Sequence, residues 1–443
     1  MMLMRTLPFL AIGALPLWAP PVTARTIHAE RLFPVTASAG ASELSHAKER
    51  VLHSFQNGTD GDQPQPGLSA DTAGALYGTT YDGGNSTGCF RSTPCGTVFK
   101  MIPSRNGYTK RTIYNFQNSG DGAYPNAGLI IDSTGVLYGN TGSNFNGPCC
   151  GVLFRLAPSK GGYTESVLYQ FGSHDAVPNG NLVADSNLTF YGTSYQGGAH
   201  LQGAVIALAP TGSGYADNVL YSFAGGKDGA NPVAGLLIGS GGVLYGTTML
   251  GGGGPCNQGG GCGTVFSLTP SHGRYVERVL HRFQGGKDGQ APLGQLIADA
   301  NGDLFGTTDS GGNGRHCAEG CGTAFELVPT GKAYRERILF DFRGAGQFPD
   351  ARLTLDAAGD LFGTTQSGRD RVSYNGTVFE LIPSQNGRYT PVTLHRFHGY
   401  PHDGAYVITS LLQDSSGALF GTTTLGGSGC PQVGCGTVFM LQP

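Results

Sequence analysis

The 443 residues could hold two or three ordinary domains, although all-β folds run this long as one unit. Glycine supplies 75 residues and charged residues only 13%, against about a quarter in an average protein, which points to many tight turns rather than helices. A net charge of -3 offers no field for a polyanion, so nucleic acid is excluded as an expected partner.

The chain starts MMLMRTLPFLAIGALPLWAPPVTA, with Arg5 ahead of an apolar run from Leu7 to Ala19 and a small-residue Val-Thr-Ala site ending at Ala24. This pattern predicts a secretory signal over residues 1–24, too short to span a membrane comfortably. A flexible segment is expected over 25–48, and no transmembrane segment after the signal. The expected location is secreted or periplasmic.

The first predicted strand is ERVLHSF, residues 49–55, and segments like it then recur along the chain. One full unit reads GLLIGSGGVLYGTT (235–248), a Gly-rich loop, GTVFSLTP (263–270) and RYVERVLHRF (274–283). The LYGTT-like core falls seven times, first at 76–80 and last at 419–423, and a period of this size signals a propeller or solenoid. The segments are short, rich in β-branched and aromatic residues, and bounded by Gly or Pro, as strands are. In each unit four strands, a (GLLIG), b (VLYGTT), c (GTVFSLTP) and d (RVLHRF), are predicted to pair antiparallel. That reading gives a single all-β domain over 49–443, a seven-bladed β-propeller. One d segment precedes the first a-b-c set, and the last set has none after it. The N-terminal strand 49–55 is therefore expected to complete the C-terminal blade beside GTVFMLQP (436–443), closing the ring and leaving no bare edge.

The same phase puts the short a-to-b and c-to-d turns on one face, and the longer b-to-c and d-to-a loops on the other. All ten cysteines fall in b-to-c loops, as Cys89 with Cys95, Cys149 with Cys150, Cys256 with Cys262, Cys317 with Cys321, and Cys430 with Cys435. In an exported chain, paired cysteines at repeated positions predict loop-stapling disulfides rather than metal ligands. Cys149 and Cys150 differ, because adjacent Cα atoms about 3.8 Å apart lie below the usual disulfide range.

Asp-Gly recurs in the d-to-a loops at Asp60, Asp121, Asp228, Asp288 and Asp403, while the third unit keeps Asp175 without the Gly and the sixth has no Asp there. These residues could ring a Ca²⁺ ion or a sugar. A turn ahead of strand a explains the regularity better, and no cofactor or metal is expected. His53, His281 and His395 replace Tyr within strand d and read as packing residues.

Three loops depart from the repeat. GGNGRHCAEGC carries Arg315, His316 and Glu319; QSGRDRVSYNG carries Arg369, Asp370, Arg371 and Tyr374; HGYPHDGAY carries His398, Tyr400, His402 and Tyr406. Ring order would place them on consecutive blades and on one face. Arginine suits carboxylates bidentately and tyrosine gives an aromatic platform with a polar tip, so the sector is the candidate ligand site, for an extracellular glycan or protein. If it were catalytic, a His or Tyr base beside an Arg-neutralised carboxylate would suit uronate β-elimination, with a polysaccharide lyase as the enzyme alternative. Hydrolysis would need opposed carboxyls, for which Glu319 and Asp370 are the sector's candidates.

VLYGTT (243–248), GTVFSLTP (263–270) and VLYSFAGGKDGANPVAGL (219–236) closely resemble the bacterial GloVer, or Gloeo/Verruco, tandem repeat, and the resemblance covers essentially everything after residue 49. It implies an exported β-propeller-like protein. The family has no established activity, so the resemblance carries over no catalytic residue. A binding or interaction module, acting as a monomer, is therefore the expected function.

Overall fold

The computed structural model describes residues 47–86, 89, 93–105, 107–142, 151–172, 178, 180–314, 317–331, 333–343, 346–368, 375–384 and 387–443. The predicted signal and most of the segment after it lie outside these residues. Seven antiparallel sheets carry the order a-b-c-d, giving a seven-bladed β-propeller, and the only helical elements among the described residues are single 3₁₀ turns. Blade four shows the unit: Leu237–Ile238, Leu244–Thr248, Thr264–Ser271 and Arg274–Arg282. The c-to-d hairpin turns on His272 and Gly273, both with positive φ, which suits the twist of the strands they join.

Each repeated letter has a packing reason. Gly246 of LYGTT has no side chain because a Cβ there would lie 2.5 Å from the Phe266 ring of the neighbouring strand. The second Thr of LYGTT pairs with the Thr of GTVF: Thr248 and Thr264 hydroxyls lie 2.8 Å apart, and the Thr264 amide donates to Thr248 Oγ1. Five blades keep that buried pair. Every strand d carries a bulge at the same place; in blade four Val265 faces His281 and Phe266 faces Val279, so Leu280 is the extra residue.

Neighbouring blades meet through a repeated joint. At six of the seven joints the Phe ending strand d packs edge-to-face on the Phe of the next blade's strand c, as Phe283 does on Phe325 at 5.2 Å; blade three has Ile206 there. The Pro of the d-to-a loop lies over the Gly that opens GTVF in the preceding blade, where Gly263 has φ +96° and a Cβ would lie 2.6 Å from Pro292 Cδ. The residue before that Pro is held at positive φ in five blades, and Tyr406, before Val407, takes the same conformation in blade seven. In blade five this residue, Ala291, donates its N–H to Cys262 O at 2.9 Å.

The ring closes through the same joint. Lys48–Ser54 pairs with Thr437–Gln442, with Val51 opposite Phe439 and His53 opposite Val438. The residue passed over is Leu52, so the leading strand bulges where every other strand d does. Phe55 donates its N–H to Gly436 O at 3.0 Å, matching Phe283 to Gly263 O at 3.1 Å, and it packs on Phe99 of blade one at 5.2 Å. Gln63 N–H then reaches Cys435 O at 3.1 Å, Thr422 Oγ1 donates to Gln65 O at 3.0 Å, and Pro64 lies over Gly436.

Candidate functional site

Strand order places the b-to-c and d-to-a loops at one end of the ring. Four of the expected disulfides staple that end: Cys89–Cys95, Cys256–Cys262, Cys317–Cys321 and Cys430–Cys435, with Cα separations of 4.9 to 5.4 Å. Cys149 and Cys150 lie outside the described residues. The second cysteine of each of the four pairs is fully buried beneath its loop. Each bridge closes only a short loop, so replacing Cys256 and Cys262 together by alanine is expected to cost about 2 kcal/mol, read as a lower urea midpoint that reductant lowers further by less than it lowers the parent's, since three other described bridges remain.

The repeated Asp residues build the d-to-a loops. Asp228 Oδ2 accepts the Ala224 N–H at 2.7 Å and Oδ1 accepts the Tyr221 hydroxyl at 2.7 Å. Asp121 does the same with Gln117 and Tyr114. Where strand d carries His, the ring takes the hydroxyl's place: His53 on Asp60 at 2.9 Å, His281 on Asp288 at 3.2 Å and His395 on Asp403 at 3.0 Å. These histidines also stack edge-to-face on Phe55, Phe283 and Phe397, so they bond as well as pack. Blade five's strand d has Phe340 at that position, and the loop after it is the one without the Asp. Partner and carboxylate are lost together.

A third member comes from the next blade's strand d. Glu336 faces His281 with 3.7 Å between Oε1 and Nε2, and Lys110 donates to Asp60 at 2.9 Å. Pro391 occupies this column opposite Phe340, so the whole polar group is absent there. Burial, with Asp288 beside it, pushes the Glu336 carboxyl up. Burial also opposes ionisation of Asp60, yet His53 and Lys110 hold its carboxyl down to about 2. The ligand atoms of His281, Asp288 and Glu336 lie within 4.8 Å of one another and could hold a cation. Asp62 lies equally near Cys430 and Cys435, but those sulfurs are bonded to each other.

Asp62 and Asp82 face each other across paired strands at the closure seam. Burial pushes each to about 6, and the charge of Asp62 adds to the effect on Asp82. Both folded values exceed the ordinary 3.8, so this pair's stabilising contribution is complete below about pH 4 and is lost as pH rises through 6. Asp82→Asn should flatten the Tm profile between about pH 4 and 7 and raise Tm at about pH 8 by roughly 1–2 °C, measured by differential scanning calorimetry.

Of the residues expected to form the ligand site, Arg315, His316, Arg369, Arg371 and Tyr374 lie outside the described residues. His398, Tyr400 and His402 share one loop, folded around Asp403, whose Oδ1 accepts the His398 and Gly399 N–H groups at 2.7 and 2.9 Å. The His398 side chain is 70% exposed and Tyr400 40% exposed, with a cis peptide between Tyr400 and Pro401. His402 is also exposed, and Tyr406 takes the positive-φ position before strand a. Glu319 is engaged, accepting from Gln290 Nε2 at 2.7 Å.

Sequence reasoning passed over the ring axis. A cavity of about 150 Å³ is lined by residues of six different blades at the start of strand a, among them Asn181, Gln295, Arg352 and Ser410. Thr307, at the loop end of strand b in blade five, donates to Ala351 O at 3.3 Å, which ties the chain just before Arg352 to that loop end. One repeat column fills it: the residue before the strand-a Leu is Gly67, Gly128, Asn181, Gly235, Gln295, Arg352 and Ser410 in blade order. Glycine serves where blades crowd, since a Cβ on Gly128 would lie 2.5 Å from Gly67 O. Asn181 Oδ1 accepts the Gly128 N–H at 2.7 Å, and Gln295 Nε2 donates to Leu236 O at 2.6 Å. Arg352 Nε is buried with no hydrogen-bond partner among the described residues, and burial lowers the guanidinium's pKa. Reading that column across the seven units would have found it.

No curated protein matches the chain. Among solved structures it is similar to a candidate 6-phosphogluconolactonase from Bacteroides uniformis, at 13% identity and a TM-score of 0.49, over 73% of this chain and 84% of that one. It is similar also to the PQQ-bound aldose sugar dehydrogenase of Streptomyces coelicolor, at 11% identity and a TM-score of 0.44, over 90% and 99%. A third is the Trypanosoma rangeli sialidase in complex with the inhibitor DANA, at 10% identity and a TM-score of 0.41, over 80% and 60%. Likeness this distant carries nothing about activity. The Gloeobacter/Verrucomicrobia repeat matches residues 41–259, 150–334 and 253–443. Seven copies of one motif, each explained by the joint it makes, and a match over the whole ring place this chain in the Gloeobacter/Verrucomicrobia repeat family.

Proposed function

We propose that the protein is a secreted or periplasmic binding module that takes an extracellular ligand, a glycan foremost, at the loop-bearing end of the ring. The observation that carries this reading is the coincidence of stapled loops with the open column at the axis. Four disulfides fix loops at the end to which the chain just before the cavity's Arg352 is tied. A rigid frame holding variable loops is how scaffolds present binding groups. The exposed rings of His398, Tyr400 and His402 add amphipathic surface on the same end, suited to sugar faces. The disulfides fit an oxidising compartment, and among the described residues no helix is long and apolar enough to cross a membrane. Arg315, His316, Arg369, Arg371 and Tyr374 belong to the same proposed ligand surface.

A glycan array with the disulfides intact and reduced tests it, followed by incubation of any hit with the protein. Saturable binding that weakens on reduction, with the glycan recovered unchanged, supports the module. An unsaturated, ultraviolet-absorbing product from a uronate polymer would instead establish the lyase. Absence of binding to every glycan would refute the glycan reading.

A further inference from the structure

We propose that the axial cavity is a carboxylate-binding site with Arg352 as its counter-ion, so that the ligand of the loop-bearing end is an acidic one; this rests on the binding reading above and names its ligand class. Arg352 is the only ionisable residue among those lining the cavity. Among the described residues its Nε has no hydrogen-bond partner and no carboxylate offsets its burial. The residue is half-buried, and a guanidinium whose Nε is shut from water without a partner is costly to hold. A perturbed charged group lining a cavity marks a candidate functional site.

The rest of the lining suits the same ligand. The side-chain oxygen of Asn181 is held by the Gly128 N–H, which turns the amide so that its NH₂ is left to donate. Gln295 is anchored on Leu236 O, and the Ser69 hydroxyl donates to Leu129 O, so two polar groups of the lining are held by backbone carbonyls. A single positive charge balances one carboxylate, whose two oxygens match the guanidinium fork; a phosphate dianion would leave charge uncompensated. The volume of about 150 Å³ is far more than the roughly 10–15 Å³ that one water needs on the same measure. That admits an acid group and the carbons beside it, such as one terminal sugar acid.

Isothermal titration of the full chain with galacturonate, glucuronate, galactose, glucose, succinate and inorganic phosphate tests the site. The two uronates should bind, with the neutral sugars weaker by about 10–100-fold, the worth of a charge-assisted hydrogen bond. Arg352→Gln should remove that preference while leaving Tm unchanged or raised, because the arginine supports no other group. Arg352→Lys, which keeps the charge and loses the fork, should recover part of the affinity. Uronate binding unaffected by Arg352→Gln, equal binding of neutral and acidic sugars, or tighter binding of phosphate than of any carboxylate would each overturn the proposal. If neutral glycans bind and Arg352→Gln makes no difference, the module stands and this inference falls. If succinate and uronates bind through Arg352 while every glycan on the array fails, the cavity is an acid site and the glycan reading falls.

Discussion

Replacing Phe55 by alanine is expected to destabilise the protein by about 3–5 kcal/mol, as much as Phe283→Ala. The comparison is informative because Phe55 stands ahead of every GTVF segment, whereas Phe283 lies inside the repeat. Both side chains are fully buried, and both pack on the next blade's Phe, at 5.2 Å in each case. Both hold their amide on the Gly that opens GTVF. Equal physical surroundings should give equal losses. Trp18 is the only tryptophan and lies within the predicted signal, so guanidinium unfolding of the mature chain is best followed by tyrosine emission or circular dichroism. A loss below about 1 kcal/mol at Phe55, beside a large one at Phe283, would mean that the leading strand adds nothing to the fold.

The second large effect is expected at Gly436. Its φ is +90°, and an added Cβ would run into Thr423 O and Pro64 Cδ. Left-handed strain costs about 1–3 kcal/mol and overpacking about as much again, so Gly436→Ala should cost about 2–5 kcal/mol. The obstructing atoms are a strand carbonyl and a proline ring, neither of which can swing aside. Gly263→Ala, which would meet Thr248 O at 2.5 Å and Pro292 Cδ at 2.6 Å, should behave alike. Urea midpoints of the two variants, measured side by side, check that the closing joint is built like an internal one.

The ring was legible in the sequence because its joints are repeated letters. The lone VLHSF and the unpaired GTVFMLQP could only satisfy each other, and the structure pairs them. Strand a was legible in place but not in extent: GLLIG forms a two-residue strand, Leu237–Ile238, because the residues before it bond to neighbouring blades instead. The turn role of the Asp residues could be read, since one carboxylate per blade suits a local cap. Its partner was equally present in the sequence, as Tyr or His seven or eight residues earlier, and the joint loss of ring partner, Asp and Glu at Phe340 and Pro391 was the signal. Arg352 was missed because attention went to irregular loops, while it stands inside a regular segment; that the column meets at an axis is a property of the closed ring alone. Loop residues such as Arg369 have no repeat to place them, so the sequence could say which end of the ring they occupy and no more.

Hydrogen exchange read by mass spectrometry tests the closure most directly. Peptides covering 48–55 and 437–443 should exchange as slowly as those covering 264–271 and 274–282, because their amides sit in equivalent ladders. Exchange of 48–55 at the rate of an unstructured chain, with 264–282 protected, would contradict the account: the last blade would lack its fourth strand, and the axial cavity argued from a closed ring would go with it.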